Sequence, residues 1–284
     1  MMALLEVNFL SRCLGTQTTV NVILPQRPLE IGADGTGELK DEKSTERIKE
    51  RQPQNVKYPA LYLLHGSSDD ESAWLRKSNI ERHVAGLNLA VIMPNAQLSY
   101  YENMLHGARY YDFVTKELPE VMEALLPISS DASDRYVCGL SMGGMGALSM
   151  GLRSPERYAA CGILSSGNLL YREIQNYTAQ ALRPSGGAAP LTAVYGTNDL
   201  KTLQETDWDP FVSGVENMAA GKKLPRFFHV CGTEDFLLDS ARLTRNWFLS
   251  HPGIRYTYME APGSHNWDFW DKWIKEYLTW LNIK

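Results

Sequence analysis

Residues 135–150 read RYVCGLSMGGMGALSM, a stretch in which an apolar run leads into a glycine-rich segment. Residues 135–139 have the apolar composition of a buried strand, and the small residues after Gly143 predict a helix. Ser141 stands between Gly139 and Gly143, where strand changes to helix. A serine in Gly-x-Ser-x-Gly is either a nucleophile or a structural turn residue. Because a strand precedes it and a helix follows it, this context favours the nucleophile.

The rest of the chain repeats the alternation of strand and helix. Continuous apolar runs predict strands that are buried on both faces of a sheet. The predicted strands are 4–10, 16–24, 60–66, 89–94, 135–139, 159–166, 226–232 and 255–259, and the predicted helices are 107–125, 142–152, 237–250 and 267–282. Such alternation predicts an α/β fold with a mostly parallel central sheet and helices on both faces.

Two segments depart from this pattern. Residues 26–57 are polar and charged, which predicts a surface loop. Residues 167–224 contain RPSGGAAP and several polar turns, without a clear alternation of strand and helix. We interpret this second segment as a small cap inserted into one domain that spans 1–284.

Composition excludes several classes of partner. The 284 residues carry a net charge of −5, so we expect no nucleic-acid partner. We expect no membrane span because no run approaches about 18 apolar residues. The N-terminus reads as a strand rather than a signal peptide, which predicts a cytoplasmic protein. Cys13, Cys138, Cys161 and Cys231 lack the spacing of metal ligands, so we expect reduced thiols and no metal.

A serine nucleophile needs a histidine base, and in this type of fold the base follows the nucleophile and the acid along the chain. Three histidines follow Ser141. His229 lies inside an apolar strand, which favours a core position, and His251 lies in a polar turn, which favours the surface. His265 lies in the loop between the last strand and the last helix. This loop is where the base belongs, so we predict His265 as the base.

Two similar stretches compete for the acid. Asp199 follows Gly-Thr-Asn in the predicted cap, whereas Asp235 follows Gly-Thr-Glu directly after a buried strand. The position after the strand favours Asp235, because it lies at the same edge of the sheet as the serine and histidine loops. Glu234 is the adjacent alternative, and Asp239 fits the first turn of the next helix.

The tetrahedral intermediate of acyl transfer needs hydrogen-bond donors for its oxyanion. We predict the backbone N–H groups of Met142, after the nucleophile, and Ser67, in the loop after an early strand. The His65 side chain is predicted to orient or pack this loop and is also a candidate for substrate contact. Further candidates for the substrate pocket, with core packing as the alternative, are Trp208, Phe211 and Trp267.

Four segments together resemble the esterase D family of α/β-hydrolases, in particular its bacterial tributyrin-esterase branch. They are LYLLHGSSDDESAW (61–74), YVCGLSMGGMGAL (136–148), HVCGTEDFLLDSAR (229–242) and GSHNWDFWDKW (263–273). The resemblance implies an α/β-hydrolase fold and a serine carboxylesterase that acts on short-chain acyl esters, acetyl to butyryl. It also implies a Ser141, Asp235 and His265 triad, oxyanion donors at Ser67 and Met142, and no cofactor or metal.

Relatives of this family set the alternative functions. They include feruloyl and acetylxylan esterases, mycolyltransferases and S-formylglutathione hydrolases. The early strand here ends in His-Gly-Ser (65–67), unlike the pattern of the S-formylglutathione hydrolases, so a thioesterase ranks lower. A non-catalytic, hydrolase-like binding protein is the alternative from another class. Such a protein is expected to lack at least one triad member, whereas all three are present here in the expected order. We expect a small-molecule ester as the partner. The sequence does not indicate the oligomeric state, and a homo-oligomer, a dimer or tetramer, is compatible with the family.

Overall fold

The computed structural model describes residues 2–26, 57–171, 191–197, 199, 202–203 and 206–283. The predicted loop at 26–57 lies outside the described residues except at its two ends. Part of the predicted cap at 167–224 also lies outside them. The predicted division of the chain into one domain with a cap stays a prediction.

Eight strands form one sheet in the described part of the chain. They are β1 (Met2–Ser11), β2 (Thr16–Pro25), β3 (Ala60–Leu64), β4 (Ala90–Pro94), β5 (Arg135–Leu140), β6 (Ala160–Leu164), β7 (Arg226–Gly232) and β8 (Tyr256–Ala261). Their order is β1-β2-β4-β3-β5-β6-β7-β8. β2 pairs antiparallel with both β1 and β4, and all other pairs are parallel. The predicted mostly parallel sheet is confirmed.

Helices pack on both faces of this sheet. They are α1 (Ala73–Lys77), α2 (Ile80–Val84), α3 (Tyr110–Asp112), α4 (Leu118–Leu125), α5 (Met142–Arg153), α6 (Leu191–Tyr195), α7 (Pro210–Ala219), α8 (Leu238–Leu249) and α9 (Trp267–Leu281). Side chains alternate along β3: Tyr62 and Leu64 join the core cluster with α4, α5 and α8, and Leu61 and Leu63 join the cluster with α1, α2 and α9. The sheet is therefore buried on both faces.

The predicted helix at 107–125 has a different form from the one expected. It begins at Tyr110 and contains a π-helical segment, Phe113–Glu117, between α3 and α4. Pro119 has no N–H, so the Thr115 carbonyl cannot receive the usual α-helical hydrogen bond from it. The Arg157 guanidinium donates to that carbonyl instead, at 3.0 Å. A distant side chain thus satisfies the group that the proline leaves unpaired.

The turn from β5 into α5 is packed against the end of β3. A Cβ at Gly139 would lie 2.4 Å from the Gly143 backbone, and a Cβ at Gly143 would lie 2.7 Å from the carbonyl oxygens of Leu64 and His65. Both neighbours are backbone atoms, which cannot move aside like the end of a flexible side chain. The two glycines are therefore required by close approach of the chain.

We expect Gly143→Ala to lower the free energy of unfolding by about 3 kcal/mol, because the added methyl group overlaps backbone atoms. Urea denaturation measures the change. Gly253→Ala is the matched control, since a Cβ there meets nothing within 4 Å, and its effect is expected to stay below about 0.5 kcal/mol. Equal losses in the two variants would show that the contact at Gly143 does not limit stability.

Candidate active site

Three loops at the carboxyl edge of the sheet bring the predicted catalytic side chains together. Ser141 lies between β5 and α5, Asp235 lies in the turn after β7, and His265 lies between β8 and α9. The three strands run parallel, so their carboxyl ends meet at one edge. Residues that are up to 124 positions apart in sequence are thereby placed within hydrogen-bond distance.

The three side chains form a continuous hydrogen-bonded chain. His265 Nε2 lies 2.9 Å from Ser141 Oγ, and His265 Nδ1 lies 3.0 and 2.9 Å from the two Asp235 oxygens. An ionised carboxylate only accepts hydrogen bonds, so Nδ1 is the protonated nitrogen. Nε2 is then free to accept the hydroxyl proton of Ser141. This is the geometry that general-base activation of a serine requires.

The carboxylate of this group is buried and its orientation is fixed. The Asp235 side chain is 0% exposed, against 15% for His265. Asp235 Oδ1 also accepts a hydrogen bond from the Leu237 N–H, at 2.8 Å. Two donors therefore hold the carboxylate in one orientation against the imidazole.

Aromatic side chains flank the imidazole. The Phe236 ring lies 4.4 Å from the His265 ring, and the Trp270 ring meets it edge-on at 4.9 Å. Trp270 is buried, whereas Phe236 is 59% exposed and lies at the rim of the site. Phe236 was not among the site residues predicted from the sequence. The sequence feature that could have identified Phe236 is its position directly after Asp235, the predicted acid.

The backbone of Ser141 is strained, with φ 53° and ψ −117°. The Ser141 N–H donates to the Leu164 carbonyl at 2.9 Å, and the Ser141 carbonyl accepts from the Met145 N–H at 3.1 Å. These bonds hold the sharp turn between strand and helix. Met142 is the first residue of α5, so its N–H has no acceptor within the helix. That N–H directly follows Ser141, the predicted nucleophile.

The loop after β3 runs alongside Ser141. A Cβ at Gly66 would lie 3.6 Å from Ser141 Cβ. Ser67, the next residue, is exposed. The predicted second oxyanion donor, the Ser67 N–H, therefore belongs to a segment that lies against the turn of Ser141.

The structure places the alternative acids elsewhere. The Glu234 carboxylate accepts a hydrogen bond from the Gly263 N–H at 2.5 Å, and the Gly263 carbonyl accepts one from the Glu234 N–H at 3.0 Å. Hydrogen bonding, first from Thr233 and then from the Gly263 N–H, lowers the pKa of Glu234. Its contacts tie the loop of His265 to the turn of Asp235. The Asp199 N–H donates to Thr197 Oγ1 at 3.0 Å, within the predicted cap.

The two other histidines that follow Ser141 in the sequence have other partners. His229 is buried in β7, where Nε2 donates to the Ser166 carbonyl at 2.9 Å and Nδ1 accepts from the Tyr256 hydroxyl at 2.7 Å. Its burial lowers the pKa of His229 to about 4, so the ring is neutral at pH 7. His251 Nδ1 lies 2.8 Å from the Trp247 carbonyl, after α8.

The predicted pocket residues make packing contacts. Phe211 is buried and its ring stacks on Trp247 at 4.5 Å, between α7 and α8. Trp208 meets the Tyr195 ring edge-on at 5.2 Å. Trp267 meets the rings of Trp74 and Trp270 edge-on at 5.1 and 5.3 Å. Core packing was the alternative considered for each, and their role in substrate binding stays a prediction.

Among the described residues, no group of His, Cys, Asp and Glu side chains is arranged to hold a metal ion. Within the same residues, no helix is both long enough and apolar enough to cross a membrane. Cys13, Cys138, Cys161 and Cys231 are free thiols. Burial raises the pKa of the thiols of Cys138 and Cys161 well above its ordinary value, which makes both unreactive.

Comparison with known proteins gives consistent matches. Residues 46–281 match the model of a family described as putative esterase. A curated acetyl esterase from Caldicellulosiruptor saccharolyticus is 29% identical over 282 residues, which covers 99% of this chain and 98% of that protein.

Two solved structures from Staphylococcus aureus, each 29% identical in sequence, have the same fold. One is the fluorophosphonate-binding serine hydrolase F, with a TM-score of 0.78 and coverage of 99% of this chain and 98% of that one. The other is an S-formylglutathione hydrolase, with a TM-score of 0.77 and coverage of 99% of both chains. The predicted α/β-hydrolase fold is confirmed.

Proposed function

We propose that this chain, an ester hydrolase that belongs to the putative esterase family, hydrolyses small, short-chain acyl esters, acetyl to butyryl. The proposed catalytic triad is Ser141, His265 and Asp235. The observation that supports the triad most directly is the 2.9 Å contact of His265 Nε2 with Ser141 Oγ. The Nδ1 contact with the buried Asp235 carboxylate adds to it.

The first half of the proposed reaction acylates the serine. Ser141 Oγ attacks the ester carbonyl carbon while His265 Nε2 takes the hydroxyl proton. The carbonyl oxygen becomes an oxyanion, which the N–H groups of Met142 and Ser67 bind. The intermediate then expels the alcohol, whose oxygen receives the proton from Nε2. Throughout this step Asp235 stabilises the imidazolium and keeps Nδ1 protonated.

The second half returns the enzyme to its starting state. His265 Nε2 takes a proton from water, and the resulting hydroxide attacks the acyl carbon bound to Ser141. The same two N–H groups bind the second oxyanion. Collapse of this intermediate breaks the bond between the acyl carbon and Ser141 Oγ. Oγ regains its proton from Nε2, and the carboxylic acid is released. No cofactor enters either half.

The size of the acyl group is proposed from the relatives. The acetyl esterase matches this chain over nearly its whole length. The S-formylglutathione hydrolase, equally similar in sequence, makes a thioester of a one-carbon acyl group the second candidate. Acetyl esters would give an acetyl-enzyme and S-formylglutathione a formyl-enzyme, so the two substrates differ in acyl group and leaving group but share the mechanism.

A panel of substrates tests this proposal. We expect kcat/KM for p-nitrophenyl acetate and butyrate to exceed that for the octanoate by about tenfold or more, because a pocket for a short acyl group excludes the longer chain. Methyl ferulate and S-formylglutathione complete the panel, and a higher kcat/KM for either would replace the short-chain ester as the proposed substrate. Failure of a fluorophosphonate probe to label Ser141 would contradict the proposed triad and support the non-catalytic alternative.

A further inference from the structure

We propose that His65 is a positioning residue for the oxyanion hole: its Nδ1–H fixes the Gly66 carbonyl, and this fixes the direction of the Ser67 N–H. The inference rests on the proposed function, because it explains how one of the two proposed oxyanion donors is held. It assigns His65 no direct contact with the substrate.

Both ring nitrogens of His65 are engaged by backbone groups. The residue is 1% exposed. Nε2 lies 3.0 Å from the Ala96 N–H, which can only donate, so Nε2 is the unprotonated nitrogen. Nδ1 therefore carries the proton and donates to the Gly66 carbonyl at 2.7 Å. Burial lowers the pKa of His65, which favours this neutral form.

The geometry of the peptide group links this bond to the oxyanion. The Gly66 carbonyl and the Ser67 N–H belong to one planar trans peptide group and point in opposite directions. Fixing the carbonyl therefore fixes the N–H. The peptide lies beside the nucleophile, since a Cβ at Gly66 would be 3.6 Å from Ser141 Cβ.

A second contact holds the same segment from the loop after β4, here named the β4 loop (residues 95–103). The Tyr101 hydroxyl donates to the His65 carbonyl at 3.0 Å, and its ring centroid lies 5.8 Å from the His65 ring. Gln97, Tyr100 and Tyr101 all have positive φ, between 50° and 60°. Such strain persists only where surrounding contacts impose it, and it is concentrated in functional regions.

The β4 loop is anchored to the helix that carries the other oxyanion donor. Buried Glu102 pairs with Arg153, the last residue of α5, at 2.6 Å. The Tyr101 ring also packs on Gly146 in the middle of α5. Because Met142 begins this helix, both proposed donors are positioned by one connected set of contacts.

Two variants of His65 separate the roles of its ring nitrogens. In His65→Asn the side-chain amide lies near the position of Nδ1 and still donates to the Gly66 carbonyl. In His65→Gln the amide reaches the position of Nε2 and loses that donation. We expect His65→Gln to lower kcat by about 100-fold with little change in KM, and His65→Asn to retain activity within about tenfold of the wild type.

Inhibition by a trifluoromethyl ketone analogue of the acetyl ester provides the specific readout. Ser141 Oγ adds to the ketone carbon, its proton passes to His265 Nε2, and the ketone oxygen becomes an oxyanion in the hole. The inhibition constant for His65→Gln is expected to rise in parallel with the loss of kcat/KM. The pH profile of kcat should keep its shape, because the base is unchanged.

Three outcomes overturn the proposal: equal activity of the two His65 variants, wild-type activity of His65→Gln, or an unchanged inhibition constant alongside a lower kcat. Should His65→Gln fail to fold, Tyr101→Phe is the second variant. It removes only the donation to the His65 carbonyl, and we expect a several-fold increase in the inhibition constant, whereas no increase counts against the proposal. Failure of the proposed function itself would appear separately, as full activity of Ser141→Ala.

Discussion

Ser141→Ala is expected to lower kcat for p-nitrophenyl acetate by about 10⁶-fold, leaving only the residual rate that substrate binding and the oxyanion donors supply. The loss is large because the variant has no atom that can form the acyl-enzyme. His265 and Asp235 then have no nucleophile to activate. Since His265 Nε2 lies 2.9 Å from Ser141 Oγ, the substitution also leaves the base without its partner. The initial rate of p-nitrophenol release measures the effect.

A matched control separates loss of the nucleophile from loss of a serine. Ser250→Ala makes the same covalent change at an exposed position after α8, where the hydroxyl bonds only within its own turn. We expect this variant to keep wild-type kcat and to be labelled by a fluorophosphonate probe, whereas Ser141→Ala should not be labelled. Substantial hydrolysis by purified Ser141→Ala would show that another residue is the nucleophile.

The sheet could be predicted from the sequence because its signal is local. β3 reads ALYLL and is buried at all five positions, so a continuous apolar run was sufficient evidence. The positions of Ser141, Asp235 and His265 followed, since each lies in a loop at the carboxyl end of a predicted parallel strand. Predicting that these loops lie together at one edge of the sheet required no knowledge of contacts between side chains.

Features that depend on distant partners could not be predicted in this way. The π-helical segment is accompanied by a hydrogen bond from Arg157 to Thr115, 42 positions away in sequence. The bond from Tyr101 to the His65 carbonyl spans 36 positions. β4 lies between β2 and β3 in the sheet, an order that no local pattern specifies. In each case the decisive contact is set by the completed fold rather than by neighbouring residues.

Phe236 shows a different limit. A hydrophobic residue near the start of a helix is usually expected to pack inward, yet this ring is 59% exposed and lies against His265. Exposure of a large apolar side chain depends on where the turn after β7 directs it. The structure was therefore needed to place an aromatic surface at the rim of the site.

Asp235→Asn is expected to lower kcat by about 10⁴-fold. In the wild-type chain Oδ1 accepts from the Leu237 N–H, while both carboxylate oxygens face His265 Nδ1. In the variant the amide oxygen must take the position beside the Leu237 N–H, so the amide N–H₂ group faces Nδ1. The imidazole then carries its proton on Nε2, where it cannot accept the proton of Ser141. Loss of the negative charge also removes the stabilisation of the imidazolium.

Glu234→Gln is the control that distinguishes Asp235 from its neighbour. Glutamine keeps an oxygen that accepts from the Gly263 N–H, so the loop of His265 stays tied to the turn after β7. We expect a loss below about tenfold, because Glu234 contacts the Thr233 hydroxyl and the Gly263 N–H rather than the imidazole. Fluorophosphonate labelling gives a second measurement: Asp235→Asn should label slowly, since Ser141 remains but is poorly activated. A greater loss in Glu234→Gln than in Asp235→Asn would make Glu234 the acid, and the 0% exposure of the Asp235 side chain would then need a structural explanation.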